Sequence, residues 1–194
     1  RSVSGTTTLI TSADDATIAL DNTSNAFTGT IAVTTNDSSG TDADVTIDGG
    51  TTALNIDAST IDGDLTVTSG NASGVTDSGT VTVGGNLVAT TDANNGVIDL
   101  GTTTVTGTMD LTSHGTGNVT IDNATTDIVL IASEVGGNLT LTTGNASGII
   151  DSGTVTVGGN LVATTDANNG VITLDQTTVT GTMDLTSHGT GNVT

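Results

Sequence analysis

Apolar and polar residues alternate in short runs along most of the chain. In the stretch that begins at Gly85 the runs are Leu87–Ala89, Val97–Leu100 and Thr103–Val105, with Gly, Asn, Asp or Ser between them. A period of two puts every second side chain on one face, so each run predicts a short, half-buried strand bounded by turn formers. No stretch carries apolar residues at a period of 3.6, so no helix is predicted.

The runs are ordered by a recurring anchor, Gly-x-apolar-x-apolar. It stands at Gly63, Gly85, Gly107, Gly137, Gly159 and Gly181, with weaker copies at Gly29 and Gly5. From Gly63 onward the spacings are 22, 22, 30, 22 and 22 residues. A longer period encloses them. Asn71 to Ile98 returns with two changes at Asn145 to Ile172, and Thr103 to Thr120 returns unchanged at Thr177 to Thr194, 74 positions later. Self-similarity of this kind marks a repeat architecture in which each unit stacks on the last.

Three short strands, three turns and about 22 residues per coil predict an all-β fold, a three-sided parallel β-solenoid of about eight coils. The array is read as one domain over residues 1–194: a diverged repeat at 5–62, a repeat at 63–136 and a further copy at 137–194. Equivalent strands would stack at about 4.8 Å, giving a rod of roughly 40 Å. Leu, Val, Ile, Ala and Met would point inward and Thr mostly outward. The 30-residue spacing predicts a coil with a seven-residue insertion, which includes Asp127–Glu134. Its apolar content suggests one lengthened face or a strand padding the side of the rod. A single coil buries too little to offset the ordering of its backbone, so stability is expected to be collective.

Composition agrees with this picture. Thr, Val and Ile favour strands, and Gly, Asn and Asp favour turns. Aromatics are 1% of residues, Phe27 alone, and there is no Pro or Cys. The formal net charge is −20, and Arg1 is the one basic residue besides two His. Nucleic-acid binding is disfavoured, because it needs Lys and Arg to displace counterions from phosphates. The charge also disfavours anionic membranes, and no apolar run is long enough to span a bilayer as a helix. Divalent cations are compatible with it. The sequence opens and closes inside repeats and shows no signal peptide, so it reads as a fragment or mature core of a longer chain.

Three phrases carry a family resemblance: Thr17 to Val33 (TIALDNTSNAFTGTIAV), Ile150 to Gly159 (IDSGTVTVGG) and Gly137 to Thr143 (GNLTLTT). They resemble repeats of filamentous-haemagglutinin-like bacterial surface proteins. The resemblance implies a right-handed β-helical shaft, secretion to the cell surface, and a role in adhesion, biofilm matrix or cell contact. The secretion domain and binding tips of that family have no counterpart in these residues, so the chain would be shaft.

Candidate chemistry is sparse. An Asp ends the second strand of most coils, at Asp21, Asp48, Asp77, Asp99, Asp122 and Asp151. Stacking would set these carboxylates side by side. The structural reading is that each bonds its own turn. The functional reading is a Ca²⁺ ladder at Asp77, Asp99, Asp122 and Asp151, with Asp42, Asp44, Asp57, Asp62 and Asp64 as a weaker acidic group. Carboxylates about 5 Å apart in water repel by only about 0.8 kcal/mol, so a cation is not compelled. His114 and His188 each stand seven residues after an anchor, as Asp92 and Asp166 do one coil earlier, which predicts neighbours across coils. Zinc would need more ligands than these. No Ser nucleophile has a base beside it, so no enzyme and no cofactor is predicted. Rows of Thr-Val-Thr resemble ice-binding solenoids, against the plainer reading that Thr is the polar residue strands tolerate. Several Asn-x-Ser/Thr triplets, among them Asn71, Asn118, Asn123, Asn138 and Asn145, are expected in so Asn- and Thr-rich a chain. The expected partners are adjacent coils or identical subunits end to end, with surface glycans and divalent cations as further candidates.

Overall fold

The computed structural model describes residues 1–36, 42–92, 95–166 and 169–194. Among these residues there is no helix, and 25 strands stack in parallel ladders as a β-solenoid of about eight turns. Their ladders form sheets of twelve, eleven and two strands. The predicted runs are the strands, with ends moved by a residue or two: Leu87–Thr91 is longer than its run, Ile98–Leu100 one residue shorter and Thr103–Val105 the same. Leu65 pairs with Val45 below it and Leu87 above it, and Leu87 with Met109 above. The coils therefore stack strand on strand, one anchor spacing apart.

The expected 30-residue coil does not form. Residues in the supposed insertion build two strands of the wall, Ile128–Leu130 and Ser133–Val135. Both lie over the single strand Met109–Ser113, paired at Met109↔Leu130 and at Thr112↔Glu134. The anchor strand Leu139–Thr143 then lands over Val119–Asp122 instead of over Met109–Ser113. The reason is the ladder itself. Buried backbone donors and acceptors must pair, so each coil has to follow the perimeter of the coil beneath it. Extra residues that make a strand and a turn become another stretch of wall.

The consequence is a rotation. Ten strands run from Leu65–Ser69 to Ser133–Val135, and the next, Leu139–Thr143, repeats the first. At three strands per coil, ten strands overshoot three coils by one face. The long strands Leu65–Ser69, Leu87–Thr91 and Met109–Ser113 lie in the eleven-stranded sheet, whereas their copies Leu139–Thr143, Leu161–Thr165 and Met183–Ser187 lie in the twelve-stranded one. Each repeat unit thus turns the cross-section by one face.

Two devices accomplish the turn. The first splits a long face in two. The backbone bends out of the ladder between Leu130 and Ser133, and a hydroxyl fills the gap, with the Leu111 N–H donating to Ser133 Oγ at 3.1 Å. The split occurs in the preceding copy as well, where Ile31–Thr34 carries Leu54–Ile56 and Ser59–Ile61, and the Val33 N–H donates to Ser59 Oγ at 3.0 Å. Ser133→Ala leaves a buried N–H without its acceptor and is expected to lower stability by about 1–3 kcal/mol in urea denaturation.

The second device closes a face. The strands Ser59–Ile61, Val81–Val83 and Thr103–Val105 stack in a column, and above the last lies the side chain of Asn123. Its Nδ2 donates to the Val105 carbonyl at 3.0 Å and to the Asp127 carbonyl at 2.7 Å. Its Oδ1 accepts the Val105 N–H at 2.7 Å and the Thr103 hydroxyl at 3.2 Å. In the earlier copy Gly49 holds the place of Asn123. There Thr52 Oγ1 accepts the Phe27 N–H at 3.0 Å and donates to the Gly49 carbonyl at 2.7 Å.

One continuous hydrophobic core, aromatic only at Phe27, fills the interior up to Ile172 and Leu174. The inward set is not wholly apolar, as the alternation had suggested. Five of the six long strands end on a buried hydroxyl: Ser69, Thr91, Ser113, Thr143 and Thr165. These bond turn carbonyls, as in Thr91 Oγ1 to Gly96 O at 2.8 Å and Thr143 Oγ1 to Thr126 O at 2.6 Å. A buried carbonyl is thereby satisfied at the corner where the chain leaves the sheet.

Candidate functional site

The four aspartates expected to form one ladder do not stand side by side. Asp99 pairs with Thr76 below and Thr120 above, and Asp122 pairs with Thr142. Asp151 lies in the other sheet, over Leu130. The register explains this. Val75 stacks under Ile98 and Ile98 under Val119, so Asp99 falls over the neighbour of Asp77 and stops short of Asp122 in the coil above. A one-residue mismatch is enough to move a strand side chain out of line. Among the described residues no three His, Cys, Asp or Glu side chains come together to hold a metal ion.

Several of these carboxylates bond backbone. Asp122 Oδ1 accepts the Ala124 N–H at 3.0 Å, and Asp48 Oδ1 the Gly50 N–H at 2.7 Å, both as turns closed by Asp. Asp77 reaches the next coil, where it accepts the N–H groups of Gly101 and Thr102 and the Thr102 hydroxyl at 3.2, 2.7 and 2.6 Å. Asp151 does the same one repeat on, with its Oδ2 accepting the Gln176 N–H at 2.9 Å and the Thr177 hydroxyl at 2.7 Å. Within the weaker acidic group, Asp57 Oδ1 accepts the N–H of Ala58 at 2.8 Å.

A side-chain ladder does run up the rod, at a different place. Asp44 Oδ1 accepts the Asp64 N–H, Asp64 Oδ1 accepts the Asn86 N–H, and Asn86 Oδ1 accepts the Thr108 N–H, at 2.8, 2.7 and 2.9 Å. One repeat later the same steps are Asn118 to Asn138, Asn138 to Asn160 and Asn160 to Thr182, at 2.8, 2.8 and 2.9 Å. The signal was present in the sequence: the x of Gly-x-apolar-x-apolar is Asp, Asn or Thr in every anchor from Gly63 onward. The adjacent glycine is needed because a Cβ on Gly107 would meet the Asn86 Oδ1 and the Gly85 carbonyl.

The histidines lie one coil above the turns predicted for them. His114 Nδ1 is 2.6 Å from the Thr91 carbonyl and His188 Nδ1 2.7 Å from the Thr165 carbonyl, each the residue before the expected aspartate. A carbonyl only accepts, so Nδ1 carries the proton in both. Of the Asn-x-Ser/Thr triplets, Asn123 is fully buried, while Asn71 and Asn145 bond the turns below them through Nδ2.

Where a face closes, the rod carries a shallow groove. One, of about 430 Å³, is lined by Asp122, Thr125, Gly144 and Asp166, among others. Its counterpart in the preceding copy, of about 300 Å³, has Asp48, Thr51, Gly70 and Asp92. Asp110 sits in a third groove, at the split face beside Ser133 and Glu134. Burial there pushes its carboxyl pKa upward. The native state then holds this proton to higher pH than the unfolded chain, so its contribution to stability falls as pH rises through that window. Asp110→Asn is expected to stabilise the protein above the window and to be neutral below it. Denaturation midpoints measured across the acid range test this.

Short stacked coils, continuous parallel ladders and an aliphatic core without helices define a parallel β-solenoid repeat protein. The chain matches a family of repeats of unknown function (DUF5649) over residues 2–34, 42–94 and 116–178, more than half its length, and it belongs to that family. Two of the matched stretches begin at equivalent places in successive copies, Asp42 and Thr116, in step with the repeat. Comparison with curated proteins and with solved structures gives no significant match.

Proposed function

We propose that these residues form a non-catalytic shaft of an extracellular bacterial surface or biofilm-matrix protein, which holds adhesive parts away from the cell. The observation that supports this most is the near-identical copying of one long unit, with several of its Asp, Asn and His side chains spent on its own backbone. Asp77, Asp151, Asn86, Asn160, His114 and His188 all bond the neighbouring coil. A copied unit of this kind adds length. The resemblance to haemagglutinin-like repeats supports the surface location, and the net charge of −20 suits a rod kept apart from its neighbours in water.

The fold counts against an ice-binding surface. Outward threonines do align over three coils, as Thr60, Thr82 and Thr104. Asn123 then closes that face, and the rotation moves the next aligned row to another side. Antibodies against the folded chain test the proposal. They should label intact cells of the source organism, and blocking with them should reduce attachment or matrix formation. Labelling that requires permeabilised cells would overturn it.

A further inference from the structure

Asn95-Gly96 and Asn169-Gly170 are the two places in the chain where Gly follows Asn. They occupy equivalent turns of successive copies, within the identical stretches 85–98 and 159–172. Both asparagines are exposed and both glycines buried. Asn95 and Asn169 hold left-handed backbone, with φ of 58° and 60°. Their side chains face the coil above. There the Thr116 N–H donates to Asn95 Oδ1 at 2.9 Å, and the Thr190 N–H to Asn169 Oδ1 at 2.8 Å. Room for each oxygen comes from a glycine, since a Cβ on Gly115 or Gly189 would overlap it.

We propose that these two turns are self-modification sites, at which the fold promotes loss of the asparagine amide. The Gly nitrogen attacks the Asn Cγ. Its proton passes through solvent to the amide nitrogen, which leaves as ammonia and closes a succinimide ring. Water then adds to either ring carbonyl, opening the ring to aspartate or to isoaspartate, whose backbone runs through the former side chain. The net change is water in and ammonia out, with no oxidant or cofactor. Glycine favours the first step because it has no Cβ to shield the attacking nitrogen. The Thr116 and Thr190 N–H groups already donate to the oxygen on which negative charge develops, as the donors of an oxyanion hole do. The left-handed backbone adds a further drive, since a residue with a Cβ is strained there and the extra methylene of an isoaspartyl link relieves it. Asn86 and Asn160 also present Oδ1 to an N–H above, but Leu follows each of them, so they lack the unshielded nucleophile. This inference is independent of the shaft reading.

The test compares the folded 194-residue chain with a synthetic peptide of residues 85–98, both held in the same mildly alkaline buffer. Mass spectrometry of protease fragments reads a gain of about 1 Da at each converted amide, and fragmentation of the backbone separates isoaspartate from aspartate. Asn95 and Asn169 in the folded chain should convert about tenfold faster than Asn95 in the peptide. Asn86 and Asn160 should stay unchanged over the same period. In urea that unfolds the chain the rates should fall to that of the peptide, because the donors of the coil above are withdrawn. Conversion in the folded chain no faster than in the peptide would overturn the proposal, since the coil above would then protect the amide. Acceleration that persists in the unfolded chain would also overturn it, because the fold would have no part in the reaction.

Discussion

Asn123→Leu is expected to lower stability by about 3–5 kcal/mol, an effect confined to one side chain at the point where a face of the rod ends. Leucine covers the end of the column but offers no polar atoms. The Val105 N–H and carbonyl would lose their partners inside the protein, and the Asp127 carbonyl would lose a third bond. Each unsatisfied buried group costs about 1–3 kcal/mol, whereas the added apolar area returns only part of that. The position also joins two blocks of coils. Stability in a stacked array is a sum of unit and interface terms, so a weakened interface should separate the urea transition into two. Equilibrium denaturation followed by circular dichroism reads both effects. A loss below about 1 kcal/mol with a single transition would show that the backbone closes the column unaided.

Gly74→Ala and Gly148→Ala are each expected to cost about 3–4 kcal/mol, through strain and through forced separation of coils. Both glycines have positive φ, 61° and 74°, where a Cβ is disfavoured in any setting. Here the Cβ would also overlap backbone, the Val97 carbonyl oxygen above Gly74 and the Val171 carbonyl oxygen above Gly148. Those carbonyls accept the N–H groups of Val75 and Ile149, both at 2.9 Å. Making room therefore breaks the ladder at its tightest point. Gly101 is the internal control, because nothing lies within 4 Å of a Cβ built there. Gly101→Ala should change stability by no more than about 0.5 kcal/mol. Equal losses at Gly74 and Gly101 would refute the argument from close approach.

Both predictions depend on features of different legibility. The glycines could be read as turn residues from their place between alternating runs. That Gly74 and Gly148 are pressed against the coil above followed only from the stacked coordinates. Asn123 read as the first residue of an Asn-x-Thr triplet, an unremarkable surface signal, and proved to be fully buried. Nothing local marks it, because its partners Val105 and Thr103 are some 18 and 20 residues away in sequence. The aspartates failed as a ladder for a related reason. Asp99 misses Asp77 by one residue of register and Asp122 by two, and Asp151 falls in the other sheet, because the register steps between coils differ from the spacing of the aspartates.

The sequence by itself determined the strands, the length of the coil, the inward aliphatic positions and the long repeat unit, because these follow from local alternation, turn residues and copying. It also placed the histidines one coil above their partner turns. The tertiary structure alone decided whether the residues around Ile128 formed a swelling on one coil or a new stretch of wall. The long spacing between the anchors at Gly107 and Gly137 is compatible with either. The ladder of the coil beneath resolves the choice, because each buried N–H and carbonyl must find a partner there, and that requirement turns every successive copy onto the next face of the rod.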